Sequence, residues 1–308
     1  MNTENLKADA QDSNTEKSNE KLTAKKLVSG SVRLASLPEV CIRINEMLDE
    51  PNVTVAGLGN VIIQDTSLTA RLLKMVNSSF YGYEAKIETV SRAVTVIGLR
   101  ELRGLVIAAS AVEMFSNVPT ESLNKVKFWR HSLYCGVIAR LLAEQCNVLH
   151  SERLFVAGLL HDIGKLIIAQ RLPKISKDIL EEVQLGQRSE GEIEKEWLGF
   201  THADVGSELM ASWNMPDALI NSVSHHHTPQ SAESSVMETC LVHIANGLTD
   251  EAENGLDMKG DRLLKNIDPF AWEMTGLDES IKEHIFSEAG PLFAEALEVI
   301  LPRSYPSF

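Results

Sequence analysis

The chain has 308 residues, 44% of them apolar, which is enough to bury a substantial core in one large domain or two smaller ones. Its 29 basic and 43 acidic side chains leave a net charge of −14, which works against any extended surface that tracks nucleic-acid phosphates. A local basic pocket for a small nucleotide is still compatible with that balance, and apolar stretches such as Leu105 to Val112 fall far short of the roughly 20 residues that cross a bilayer.

Residues 1–29 are rich in Asn, Lys, Glu, Asp and Ser and read as a disordered tail, because so few large apolar groups cannot offset the entropy of ordering. The opening Met-Asn-Thr-Glu-Asn has neither the basic nor the apolar region of a secretory signal, so a cytoplasmic setting is expected. From Val32 to about Phe115 the pattern is helical. Leu37-Pro38 followed by Val40, Ile42, Ile44 and Leu48 predicts a helix with Pro38 in its first turn. Pro51-Asn52 breaks it, and Thr54 is placed to cap a helix over Val55 to Ile63. The next starts near Asp65-Thr66-Ser67, carries Leu68, Leu72, Leu73 and Val76, and runs into Ser78 to Gly82, with glycine in a terminating role. Helices over Thr89 to Ile97 and Glu101 to Met114 complete this group. Ser116-Asn117-Val118-Pro119-Thr120 is the clearest interior punctuation and marks a subdomain boundary.

Beyond it, helices are expected over Leu123 to Cys146, Ser151 to Arg171, Ile175 to Leu185, Glu190 to Leu198, His202 to Trp213, Pro216 to His226 and Ser235 to Leu248. Thr249 to Gly260 reads as exposed, and terminal helices follow over Glu279 to Glu288 and Pro291 to Leu301. Strict period-two alternation is not found, so the fold class is all-α. The division is a tail (1–29), an N-terminal helical subdomain (30–120), a second helical subdomain (121–260) and a C-terminal extension (261–308) packed on the core. Cys41, Cys135, Cys146 and Cys240 show no CxxC spacing and read as small buried apolar groups in a reducing compartment.

The nine histidines concentrate between His131 and His227. His161 and Asp162 end the apolar run Leu154 to Leu160, so a mostly buried helix delivers them. An ionised Asp buried beside a His calls for compensation, which a divalent cation supplies directly. His131 follows Phe128-Trp129-Arg130, His202 opens Thr201-His202-Ala203-Asp204, and His225-His226 closes another helix. The set His131, His161, Asp162, His202, His225 and His226 therefore reads as one candidate metal cluster. Mixed imidazole and carboxylate donors favour iron, manganese or zinc over calcium or magnesium. The competing reading is ordinary: single histidines on helices are more often satisfied polar groups. His227, followed by Thr228-Pro229, is assigned to an exposed turn and left out; His150, His243 and His284 are assigned structural roles.

Leu159-Leu160-His161-Asp162-Ile163-Gly164-Lys165 resembles the signature of the HD superfamily of metal-dependent phosphohydrolases, which includes the HD-GYP phosphodiesterases. Leu37-Pro38, Asp65 to Leu73, Val76 to Gly82, Ala93 to Leu99, Glu196 with Gly199, His202 and Gly206, Trp213-Asn214-Met215-Pro216, His225-His226 and Ala245-Asn246 narrow the likeness to the HDOD (HD-related output domain) family, over roughly residues 30 to 260. The resemblance implies an N-terminal helical bundle packed on an HD-like core in a signal-transduction output module. Metal ligands would fall on His131, His161, Asp162, His202, His225 and His226, and Lys165, with Asp162, would carry catalysis if the protein is an enzyme, the lysine facing substrate phosphate. Two positions depart from catalytic relatives: Asn246 stands where a late metal-binding Asp is expected, and Lys127 where HD-GYP enzymes carry a bridging Glu. The expected function is a regulatory module that binds a metal or small nucleotide and works through a protein partner. The alternative is a metal-dependent phosphohydrolase. The aromatic run Phe80-Tyr81 is a candidate partner surface, with a plain core role as the competing reading.

Overall fold

The computed structural model describes residues 22–31, 37–78, 81–83, 85–116, 122–185, 188–256 and 267–300, and these are helical with no strand among them. The N-terminal group comprises α1 (Ala24–Ser29), α2 (Glu39–Asp49), α3 (Val55–Ile63), α4 (Thr66–Val76), α5 (Val90–Ile97) and α6 (Leu99–Ser116). Local chemistry sets its helix starts. Thr54 accepts from Gly57 N, Asp65 from both Ser67 N and Leu68 N, and Thr89 from Arg92 N, each satisfying donors that a first turn leaves unpaired. The apolar faces of α2 to α6 meet in a core around Ile44, Leu58, Ile62, Leu72, Val94 and Leu102.

Within the segment expected as a tail, residues 24–29 form a helix. Thr23 caps α1, which buries Leu27 and Val28 against α9 and α12 of the second subdomain; three apolar residues spaced for one helical face suffice once a surface is there to receive them. Residues 1–21 and the expected boundary at 117–121 lie outside the described residues.

The second group comprises α7 (Lys125–Gln145), α8 (Glu152–Leu160), α9 (Ile163–Arg171), α10 (Pro173–Gln184), α11 (Glu190–Leu198), α12 (His202–Ser212), α13 (Asp217–Ser224) and α14 (Val236–Leu256). The single helix expected from Ser151 to Arg171 is two, because the chain turns at His161-Asp162, where Asp162 adopts φ −99° and ψ 6°. The most intimate helix pair is α7 with α8, which cross at Gly136 and Gly158: a Cβ on Gly158 would lie 2.7 Å from Gly136 Cα. Helix α14 runs past its expected end at Leu248. Thr249 is fully buried and bonds to Ala245 O, and the supposed exposed stretch continues the helix to Leu256.

The two groups are joined by α6 against α8, by Asn45 donating to Trp213 O at 2.9 Å, and by Arg103 donating to Asn214 O at 3.1 Å. After α15 (Pro269–Thr275), which was not anticipated, α16 (Ile281–Ile300) packs on α7 and α4. It is continuous through Pro291, where two helices were expected. Tertiary contacts such as Tyr134 against Phe293, ring centroids 5.0 Å apart, hold the helix across the lost N–H. Cys41, Cys135 and Cys240 are buried, Cys146 is partly so, and all four are free thiols.

Candidate metal centre

The turn between α8 and α9 places His161 and Asp162 at the middle of the second subdomain, where both are buried. Its position follows from one close crossing. A Cβ on Gly164 would lie 2.0 Å from His202 O and 2.7 Å from Gly206 N, so only glycine lets the start of α9 meet the start of α12. That contact sets His202 beside Asp162, with Nε2 3.2 Å from Oδ1. His226 approaches the same oxygen at 3.7 Å from the end of α13, and His227 Nε2 lies 2.8 Å from His202 Nε2. On the other side, Asp162 Oδ2 is 3.4 Å from His161 Nε2 and 3.9 Å from His131 Nε2, contributed by α7.

Two groups of donors close enough to share an ion therefore meet at one carboxylate. One is Asp162, His202, His226 and His227; the other is His131, His161 and Asp162. Ring orientation is set from behind. His161 Nδ1 donates to Gly158 O and His226 Nδ1 to Val223 O, each at 2.7 Å, which turns both Nε2 lone pairs inward. There the two Nε2 atoms and Asp162 Oδ1 are buried with no hydrogen-bond partner of good geometry. Buried acceptors of this kind converging on a carboxylate fit a divalent transition metal.

His202 is held by a carboxylate instead. Glu194, itself buried, accepts from His202 Nδ1 at 2.6 Å and from its backbone N at 2.7 Å. His131 Nδ1 faces Glu253 at 3.3 Å and Asp250 at 3.9 Å, while its Nε2 faces Asn246 Oδ1 at 3.2 Å. Asp250 therefore sits behind the ring and does not take the place of Asn246. His243 donates from Nδ1 to His226 O and accepts from Asp268 N, fixing the turn that carries His226 and His227. Lys165 extends back over the α9 start and pairs at 2.8 Å with both Asp162 Oδ2 and Glu190. A small pocket, partly open to solvent, is lined by Lys165, Glu190, Glu194, Leu123 and Ile179.

These surroundings split the protonation states. Burial, with His161 and His202 adding to it against Asp162, pushes His226 down to about 3, and burial likewise lowers His161. Burial opposes charge on His202 too, but Glu194 and Asp162 together outweigh it and hold the imidazole up at about 9; Glu253, Asp250 and Asp162 similarly outweigh burial at His131. Despite burial, His161 and Lys165 keep Asp162 well below the ordinary carboxylate range. The same ion pairs, working against burial, raise Lys165 and lower Glu190. A metal ion bound through His202 Nε2 would have to displace its proton. Apparent affinity should therefore climb by up to about tenfold per pH unit from pH 7 until it levels near the His202 value of about 9. Titration calorimetry in buffers of different ionisation enthalpy should detect about one proton released per ion at pH 7. A flat affinity across that range would refute the assignment.

Of the residues expected at the site, His131, His161, Asp162, His202 and His226 are brought together, and Lys165 joins them. His225 belongs to none of the donor groups among the described residues, its Nδ1 facing Asn221 O, whereas His227, assigned to an exposed turn, lies in the cluster. Helix α13 stops at Ser224, so the three histidines lie in a turn where helical periodicity no longer says which faces inward. Glu190, Glu194 and Glu253 were missed, since acidic residues on helices ordinarily mark solvated faces. Lys127 is exposed. His150 pairs with Glu101 at 3.2 Å, and His284 receives Gln145 Nε2 at 3.1 Å. Tyr81 packs against the core with Arg140 over its ring, and Phe80 lies outside the described residues.

The sequence pattern of the HDOD domain matches residues 34–229. The chain belongs to the HDOD family. An HDOD domain protein of unknown function from Geobacter sulfurreducens superposes with a TM-score of 0.71 at 26% identity, covering 91% of this chain and 97% of that one. A provisionally named phosphohydrolase from Shewanella amazonensis SB2B gives 0.69 at 24%, covering 89% and 97%, a likeness of fold. A provisionally named signal transduction protein from Marinobacter aquaeolei VT8 gives 0.64 at 22%, covering 89% and 60%, again of fold. By sequence, an uncharacterized protein of Treponema pallidum (strain Nichols) is 27% identical over 219 residues, 69% of this chain and 41% of that protein. Ribonuclease Y of Aquifex aeolicus (strain VF5) is 31% identical over 119 residues, 39% of this chain and 16% of that enzyme. The HDOD chain thus spans less than half the length of either curated relative. No helix among its described residues is long and apolar enough to cross a membrane.

Proposed function

We propose that this HDOD protein is a signal-transduction output module whose HD-type core holds a divalent transition metal, iron, manganese or zinc, as a structural or sensing element, and that it acts through a regulatory protein partner. The observation that carries the metal is the convergence of His161 Nε2, His226 Nε2 and Asp162 Oδ1, all buried and lacking partners. The state of Lys165 favours a module over a hydrolase. An HD-type lysine that neutralises substrate phosphate must be free to do so, and this one is committed at 2.8 Å to two carboxylates. Asn246, beside His131, brings an amide where a carboxylate would add charge for a hard ion. A bound ion would supply Lewis acidity. His161 and His226 are held neutral by burial, so that His226 would present a neutral donor to it, and Glu194 would keep His202 oriented.

Elemental analysis of the purified chain should show near-stoichiometric iron, manganese or zinc, with no turnover of a panel of phosphodiesters, nucleotides and single-stranded RNA. A metal-free native protein that takes up no ion would refute the proposal. Turnover abolished by His161→Ala would establish the phosphohydrolase instead. Co-purification of a specific partner supports the regulatory role, and its absence together with an unchanged signalling phenotype on gene deletion would sink that role.

A further inference from the structure

The two oxygens of Asp162 are not in equivalent surroundings. Oδ1 faces His202 and His226, with His227 completing a four-donor group, and it lacks a hydrogen-bond partner. Oδ2 faces His161 and His131, but it already holds a cation, the Lys165 ammonium at 2.8 Å, which Glu190 grips from its other side at the same distance. The three side chains of this ion triad are only 4%, 13% and 17% exposed for Asp162, Lys165 and Glu190, so solvent does little to screen the charge. On this same side the remaining nearby donor is the neutral amide of Asn246. Three imidazoles and a carboxylate on the Oδ1 side make a full donor set for a transition metal, whereas an ion entering on the Oδ2 side would meet a fixed positive charge.

We propose that the chain binds one divalent transition-metal ion, on Asp162 Oδ1 with His202, His226 and His227, and that the Lys165 ammonium stands permanently in the place of a second ion on Oδ2. This rests on the metal reading above and adds its number and position. The partnerless His161 Nε2 is then a donor on the Oδ2 side that becomes available to an ion once the ammonium is removed.

The test is the stoichiometry of zinc or manganese bound by the full-length apo chain, read by native mass spectrometry and calorimetry. One equivalent is expected for the wild type and for Lys165→Arg, and two for Lys165→Met, in which Asp162 and Glu190 lose their counter-cation. Two equivalents of similar affinity in the wild type, or one in a folded Lys165→Met, would overturn the inference while leaving a metal-loaded module in place; no binding at all would overturn both. Should Lys165→Met fail to fold, His227→Ala and His131→Ala decide the matter. The first is expected to weaken the single ion at least 10- to 100-fold, roughly the cost of losing even an outer-sphere partner, and the second to change it less than about threefold. The reverse order would place the ion on Oδ2 and end the proposal.

Discussion

Asp162→Asn is expected to weaken metal binding by at least about 100-fold, equivalent to about 2.7 kcal/mol. The replacement keeps the shape of the side chain and removes the charge that both donor groups share, since Oδ1 and Oδ2 each face two histidines. It also leaves the largely buried Lys165 paired with Glu190 but without the Asp162 charge, so some loss of apo-protein stability should accompany it. Competition with a chromogenic chelator measures the affinity, and circular dichroism establishes that the variant is folded. His225→Ala serves as the contrast, because its ring lies outside the donor groups and binding should survive. An Asp162→Asn protein that binds as tightly as the wild type would remove the carboxylate from the centre.

Gly164→Ala should damage the fold and the site together. The added methyl would lie 2.0 Å from His202 O and 2.7 Å from Gly206 N, both backbone atoms that no rotamer change can move. Helices α9 and α12 would have to separate, at a cost of about 3 kcal/mol or more, which in a chain of this size lowers Tm by about 5 °C or more. The same displacement draws His202 away from Asp162, so metal affinity should fall as well. Gly191→Ala is the control: it lies in α11 with nothing within 4 Å of the added Cβ, and alanine there should be neutral or stabilising by up to about 1 kcal/mol. Equal melting temperatures for Gly164→Ala and the wild type would refute the crossing.

Why some of the centre could be read along the chain and some could not follows from how each residue reaches it. His161 and Asp162 are adjacent at the end of an apolar helix, His131 follows the aromatic pair Phe128-Trp129 in the second turn of α7, and His202 opens α12, so short-range pattern points to them. His226 and His227 face inward because α13 has ended and His243, on α14, holds the backbone of the turn. That constraint comes from a residue 17 positions away, and no local periodicity contains it. Glu253 was invisible because Thr249 to Gly260 is polar enough to read as exposed, whereas burial of Thr249 keeps α14 helical and carries it, with Asp250, to His131.

By itself the sequence determined the all-α class, the helix starts at Thr54, Asp65 and Thr89, and the core of the histidine cluster. Caps at Thr54, Asp65 and Thr89 bond within two or three residues, and apolar periodicity is a property of a single segment. The tertiary structure decided how the charges are shared. Lys165 was expected to face a phosphate, and it is instead closed between Asp162 and Glu190; His202 is governed by Glu194 and His131 by Glu253. Pair energies between buried charges depend on separations of a few ångströms and on exclusion of water, which arise only when the helices are packed.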